Sequence, residues 1–236
     1  MTEPLLDTPP PAAEPAPLTA TGRTMARRMA EAWKAPVFHL TVEADADAWD
    51  ALRAGRAGVT LTDVLLMRCA RALLAHQAVN AHFDPEALAV TRFERADIGI
   101  AVATDRGLLV PVLRGVDGLS LEQIAAGRRE LVERARAGRL ALADMQGATF
   151  TVSNLGMLGV AHFDAIVNVP QVAILAVGAI QARPFLADGE LAERRAIALT
   201  LTCDHRAIDG ATGATFLGDL TAPPAAHRPA SEEDAR

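Results

Sequence analysis

The order of apolar and polar positions along the 236 residues divides the chain into short alternating stretches and longer helical ones. Val37 to Glu43 (VFHLTVE) alternates with the period of a half-buried strand. So does the stretch from Gly147 to Ser153 (GATFTVS), rich in β-branched residues, and Ala196 to Cys203 (AIALTLTC). Ile98 to Ala103 and Leu108 to Leu113 flank Asp105-Arg106-Gly107, which predicts a hairpin. Val172 to Val177 is a continuous apolar run. Helical spacing appears from Thr24 to Trp33, ended by Pro36, and from a cap at Thr62 through His76, where VLLMRCARALLA is apolar nearly all round and so predicts a buried helix. Ser120 to Gln123 fits a capping box opening a helix that runs to about Gly138, and a last helix spans about Gly210 to Leu220. Helices and strands mix without a strict βαβ repeat. An α/β fold with a two-layer mixed β-sheet and helices packed on one face is expected.

Both ends lack such patterning. Residues 1–20 hold six prolines among alanines and acidic residues and read as a disordered Ala/Pro-rich arm, leaving 21–220 as the folded unit. The segment 221–236 (TAPPAAHRPASEEDAR), with paired prolines and no Leu, Ile, Val or Phe, reads as a disordered tail.

Composition narrows the partners. A formal net charge of −6 argues against nucleic acid as a ligand. No apolar run is long enough to span a bilayer and there is no signal-peptide pattern, so a cytoplasmic protein with no membrane partner is expected. Cys69 and Cys203 form no C-x-x-C, the histidines show no ligand spacing, and no metal is expected. Cys203 reads as a buried structural thiol.

Chemistry concentrates at two places. In Cys203-Asp204-His205-Arg206-Ala207-Ile208-Asp209-Gly210, a histidine lies where a strand runs out, with an aspartate four residues on. Histidine can take a proton from a thiol or alcohol and return it near neutral pH. Asp209 can hold the turn and open the next helix, where its charge suits the helix dipole. Taken alone, this is also how an ordinary turn histidine beside a capping aspartate reads. In Gly147 to Gly159 (GATFTVSNLGMLG), Ser153 ends a strand and could donate a hydrogen bond to an oxyanion, or be a plain turn serine. The G-x-S-x-G elbow of a serine nucleophile is absent.

Together these motifs resemble the catalytic domain of the E2 components of 2-oxo acid dehydrogenase complexes, the dihydrolipoyl acyltransferases, whose fold is chloramphenicol acetyltransferase-like. The resemblance runs from about Gly22 to Leu220 through IGIAVATDRGLLVPVLR (98–114), TFTVSNLG (149–156), FDAIVNVPQVAILAVG (163–178) and LTCDHRAIDGATGATFL (201–217). It implies transfer of an acyl group, with acetyl favoured by TVSNLG, between coenzyme A and a dihydrolipoyl thiol. It makes His205 the general base, Ser153 the oxyanion donor and Asp209 the carboxylate that orders the loop. It also implies a homotrimer with the histidine of one subunit beside the serine of its neighbour, and 2-oxo acid dehydrogenase subunits as further partners. Lys34 is the one lysine in the sequence and is no credible lipoylation site, so the lipoyl group is expected in trans, from a lipoyl-bearing protein. Coenzyme A-dependent transfer to a small alcohol or amine, and a non-catalytic assembly subunit, are the alternatives.

Three departures stand out. Gly22 occupies the place of the arginine that braces the aspartate in this family, leaving Arg23, Arg27 or Arg28 to substitute. Val37 replaces a histidine of the substrate channel, and the apolar C-terminal anchor that joins trimers is missing, so assembly is expected to stop at the trimer.

Overall fold

The computed structural model describes residues 16–187 and 190–223. The arm up to residue 15 and the tail from 224 lie outside the described residues. Among the described residues the first element is α1 (Ala20–Ala32), four residues earlier than its apolar spacing predicts, because the Thr19 hydroxyl accepts from Gly22 N at 3.0 Å and caps the helix there. Then follow β1 (Val37–Asp45), α2 (Ala46–Arg53), α3 (Leu61–Ala75), β2 (Ala81–Asp84) and β3 (Ala89–Arg92). The short strands β4 (Ile98–Ile100), β5 (Val102–Thr104), β6 (Gly107–Leu109) and β7 (Val112–Leu113) lead to α4 (Leu121–Arg136). The last elements are β8 (Phe150–Asn154), β9 (Ala173–Ala187), β10 (Glu190–Asp204) and α5 (Gly210–Thr221).

Six strands form one sheet in the order β1-β10-β9-β8-β4-β7. β8 runs parallel to both β9 and β4, whereas β1/β10, β10/β9 and β4/β7 are antiparallel, so the sheet is mixed as expected. Helices α2 to α5 pack on one face, with α3 central against α2, α4 and α5, and Trp49, Phe150, Phe216 and Leu65 fully buried between the layers. Helix α1 is the exception to the one-face arrangement. It borders a cavity on the other face, beside Thr151 and Ser153 of β8.

Some boundaries differ from the sequence reading. Helix α3 starts at Leu61, not after a cap at Thr62, because the Asp63 carboxylate accepts from both the backbone and the hydroxyl of Thr60, at 2.7 and 2.8 Å. The predicted hairpin around Asp105-Arg106-Gly107 exists but is split: β5 and β6 leave the main sheet as a separate ribbon, while β4 and β7 stay in it. The break falls at Ala101, whose N–H turns to Val152 O at 3.0 Å, and at Pro111, which has no N–H to give. The apolar run in β9 and the alternating stretch in β10 are the inner halves of 15-residue strands. Their outer halves carry exposed polar residues and are tied down by ion pairs, Arg183 to Glu43 at 2.9 Å and Arg195 to Asp50 at 2.7 Å. Helix α2 and the β2/β3 hairpin were not predicted at all.

Candidate active site

His205 follows directly on β10. Its N–H donates to Pro36 O at 2.8 Å, and its ring lies against Phe38, with centroids 4.6 Å apart. The imidazole is exposed at the end of the sheet. Two residues around it set the loop. Asp204, buried, accepts from the Arg206 backbone N–H at 3.0 Å and from its guanidinium at 2.6 and 2.9 Å, while its carbonyl accepts from Ala207 and Ile208 N–H. The guanidinium in turn lies 4.3 Å over the Phe83 ring. This pairing was not foreseen. A charged residue facing inward at a strand end, two places before an arginine, is the signal that would have found it.

Asp209 caps α5, accepting from Thr212 N at 2.8 Å. That bond, reinforced by the Thr212 side chain and by the neighbouring His205, holds its carboxyl below the usual carboxylate range. Two of the arginines expected to brace it have other surroundings within the subunit. Arg23 donates to Leu18 O at 2.6 Å and Arg28 lines the cavity beside α1. Cys203, one residue from the loop, is buried, and burial pushes its thiol up to about 12.

Ser153 lies on β8, further in along the sheet and two strands across from β10. Along β8, Phe150 and Val152 enter the core, so alternation turns Thr151 and Ser153 to the opposite face. There they line a cavity of about 580 Å³ with α1, the β5/β6 ribbon and the irregular segment 160–168. Thr151 donates to Gln171 Oε1 at 2.6 Å and accepts from Asn168, while Asn154 folds back to accept from Gly156 N at 2.9 Å. Close backbone packing fixes the segment: a Cβ on Gly178 would come within 2.0 Å of Ala161 O.

Within one subunit the two motifs do not meet. Ser153 is level with Ala176 of β9 and, through it, with Thr200 of β10. His205 is then two strand spacings away and about 16 Å further along, which separates the Cα atoms by roughly 19 Å. Neither side chain can cross that gap. Among the described residues no group of three or more His, Cys, Asp or Glu could hold a metal ion, and no helix is long and apolar enough to cross a membrane.

A mixed sheet with a histidine at one end and a cavity-lining serine further in defines a chloramphenicol acetyltransferase-like α/β protein, and a chloramphenicol acetyltransferase superposes over 83% of this chain and 92% of its own with a TM-score of 0.54 at 15% identity, a likeness of fold. Residues 10–222 match the family described as 2-oxoacid dehydrogenases acyltransferase (catalytic domain), and the chain belongs to that family. A relative from Zymomonas mobilis, the dihydrolipoyllysine-residue acetyltransferase component of its pyruvate dehydrogenase complex, is 36% identical over 204 residues, which cover 83% of this chain and 46% of the relative. The chain spans about half or less of the length of such curated relatives. The solved Azotobacter vinelandii dihydrolipoamide acetyltransferase, studied for a serine, a histidine and an asparagine in its catalytic mechanism, is 38% identical with a TM-score of 0.83, over 89% of this chain and 91% of that one.

Proposed function

We propose that the protein transfers an acyl group, acetyl in the first instance, between coenzyme A and a dihydrolipoyl thiol. His205 is the base, Ser153 the oxyanion donor and Asp209 the residue that holds the turn. The observation that carries this reading is a spacing. The serine, histidine and asparagine at issue in the Azotobacter enzyme are separated by 52 and then 4 residues, and so are Ser153, His205 and Asp209.

In the forward step the imidazole of His205 takes the proton of the attacking thiol as sulfur adds to the thioester carbonyl. The hydroxyl of Ser153 donates to the oxyanion that forms. Collapse breaks the old carbon–sulfur bond, and the departing thiolate takes its proton back from the imidazolium. The thiol attacks the thioester directly, without an acyl-enzyme. Preset donors of this kind contribute about 3 kcal/mol to the transition state.

The separation of Ser153 from His205 supports a homotrimer as the active unit, in which the cavity of one subunit faces the His205 loop of the next. The lipoyl group comes from outside the acyltransferase domain: Lys34, the one lysine in the sequence, follows α1 and is paired with Glu31 at 2.7 Å.

The test is acetyl transfer from acetyl-coenzyme A to free dihydrolipoamide. His205→Ala is expected to lower kcat by at least a thousandfold and Ser153→Ala by roughly a hundredfold. Transfer to a small alcohol or amine in preference to dihydrolipoamide would replace the acceptor in this reading.

A further inference from the structure

The turn that carries His205 is held from two sides. Asp209 holds the helix side: it is exposed, and its bond runs forward into α5, to Thr212 N. The strand side is held by Asp204, whose side chain is only 2% exposed. One oxygen of its carboxylate accepts from the Arg206 backbone N–H at 3.0 Å and from Arg206 Nε at 2.9 Å, and the other accepts from Nη2 at 2.6 Å. The Asp204 carbonyl accepts from Ala207 and Ile208 N–H, both at 3.0 Å, and its own N–H donates to Val172 O at 2.8 Å. Each backbone N–H from 204 to 208 thus has a partner, and three of the five partners are atoms of Asp204.

A carboxylate this deeply buried stays charged only if it is paired and its oxygens are bonded. Arg206 meets both needs with the two-pronged geometry of a guanidinium. The guanidinium carbon lies 4.3 Å over the ring of buried Phe83, which limits its movement. Phe83 is fixed in turn, its N–H donating to Pro170 O at 2.8 Å. The turn is thereby fastened to β2, at a distance from the Ser153 cavity walls. A general base acts only within hydrogen-bonding reach of the proton it takes, and a misplacement of about 1 Å can cost on the order of a hundredfold in rate. Resting on the acyltransferase reading above, in which His205 is that base, we propose that Asp204 and Arg206, braced on Phe83, are positioning residues that set the His205 turn from the strand side. They act through the backbone of residues 205–208 and not on the reacting atoms.

Two readouts on the full chain test this, one of them independent of turnover. In hydrogen exchange, Arg206→Gln should speed the amides of residues 206–208 by about tenfold or more and leave Thr212 and Gly213, on the Asp209 side, within about twofold. In acetyl transfer it should lower kcat about thirtyfold while KM for acetyl-coenzyme A and for dihydrolipoamide stays within about twofold, because substrates meet an intact pocket and a displaced base. Arg206→Lys keeps the charge without the planar fork and should recover part of both effects. Since Arg206→Gln leaves a buried carboxylate without its cation, the double variant Asp204→Asn with Arg206→Gln, which holds no unpaired charge, is measured beside it and should show the same split. Arg195→Gln breaks the ion pair to Asp50 at the far end of β10 and should leave kcat and the exchange at 206–208 within about twofold. Unchanged exchange at 206–208 would overturn the proposal. So would faster exchange with kcat intact, or a loss of kcat matched by weakened KM for both substrates, the mark of general loosening. If the exchange pattern is found but the native protein fails to acetylate dihydrolipoamide, Asp204 and Arg206 keep their hold on the turn and the acceptor assigned above is wrong.

Discussion

Asp209 separates two roles that a carboxylate can have beside a catalytic histidine. It is exposed, and it caps α5 through Thr212 N. A cap needs an acceptor oxygen and not a charge. Asp209→Asn should therefore retain at least a third of kcat, in keeping with the asparagine of the Azotobacter enzyme, whereas Asp209→Ala should lose tenfold or more by loosening the His205 turn. A carboxylate that mainly stabilised the imidazolium by charge would instead make Asn nearly as damaging as Ala in the acetyl-transfer assay. His82 gives a second residue-scale expectation. Burial holds its pKa below the ordinary value, against the hydrogen bond its Nε2 donates to Ala148 O at 2.9 Å. The folded state thus resists protonation that the unfolded chain accepts. Stability is fully present above the unfolded value of about 6.5 and declines as pH falls through it. Thermal melts between pH 7.5 and 5.5 should show Tm falling toward acid, and His82→Gln should flatten that slope.

At the scale of elements, the segment 160–168 shapes the cavity although it has no regular structure, and what fixes it is backbone contact with β9. Ala179 N donates to Val160 O at 2.7 Å, and Gly178 lies where any side chain would strike Ala161 O. Backbone cannot swing aside as a side chain can. Gly178→Ala should destabilise the fold by about 1–3 kcal/mol and lower activity through the displaced cavity wall, both measurable by denaturant unfolding and the transfer assay. Unchanged stability would show that the segment and β9 part more easily than their packing implies. Alternation and capping in the sequence located β1, β8, α4 and α5 well, because each buries one face in the core or carries its own cap. The outer halves of β9 and β10 escaped because their ladder, and not apolar burial, holds them. Helix α2 escaped because its eight residues bury only Ala46 and Trp49, too little to make a periodic signal.

The whole molecule adds the separation of Ser153 from His205. If each site combines the serine of one subunit with the histidine of the next, His205→Ala and Ser153→Ala chains coexpressed in equal amounts should restore about a quarter of the native rate, because one interface in four joins an intact histidine to an intact serine. Were the two residues to act within one subunit, the mixture would stay as inactive as its parents. Restoration would establish that each site is shared between subunits, and sedimentation would then measure how many subunits the assembly holds.

Residue identity and order along the chain determined the chemistry on offer: a histidine at a strand end, an aspartate placed to cap the next helix, a serine at the end of another strand, and an acyltransferase resemblance carried by several segments in order. Local interactions suffice for these, since alternation, capping and turn formation act within a few residues. The tertiary structure alone decided which groups share a wall. It set Ser153, Arg28 and the segment 160–168 around one cavity, turned Asp204 inward to be held by Arg206, and placed His205 roughly two strands and five residues away from Ser153. Those relations depend on sheet order and register, which are fixed by packing between residues far apart in sequence and are not written in any one stretch of it.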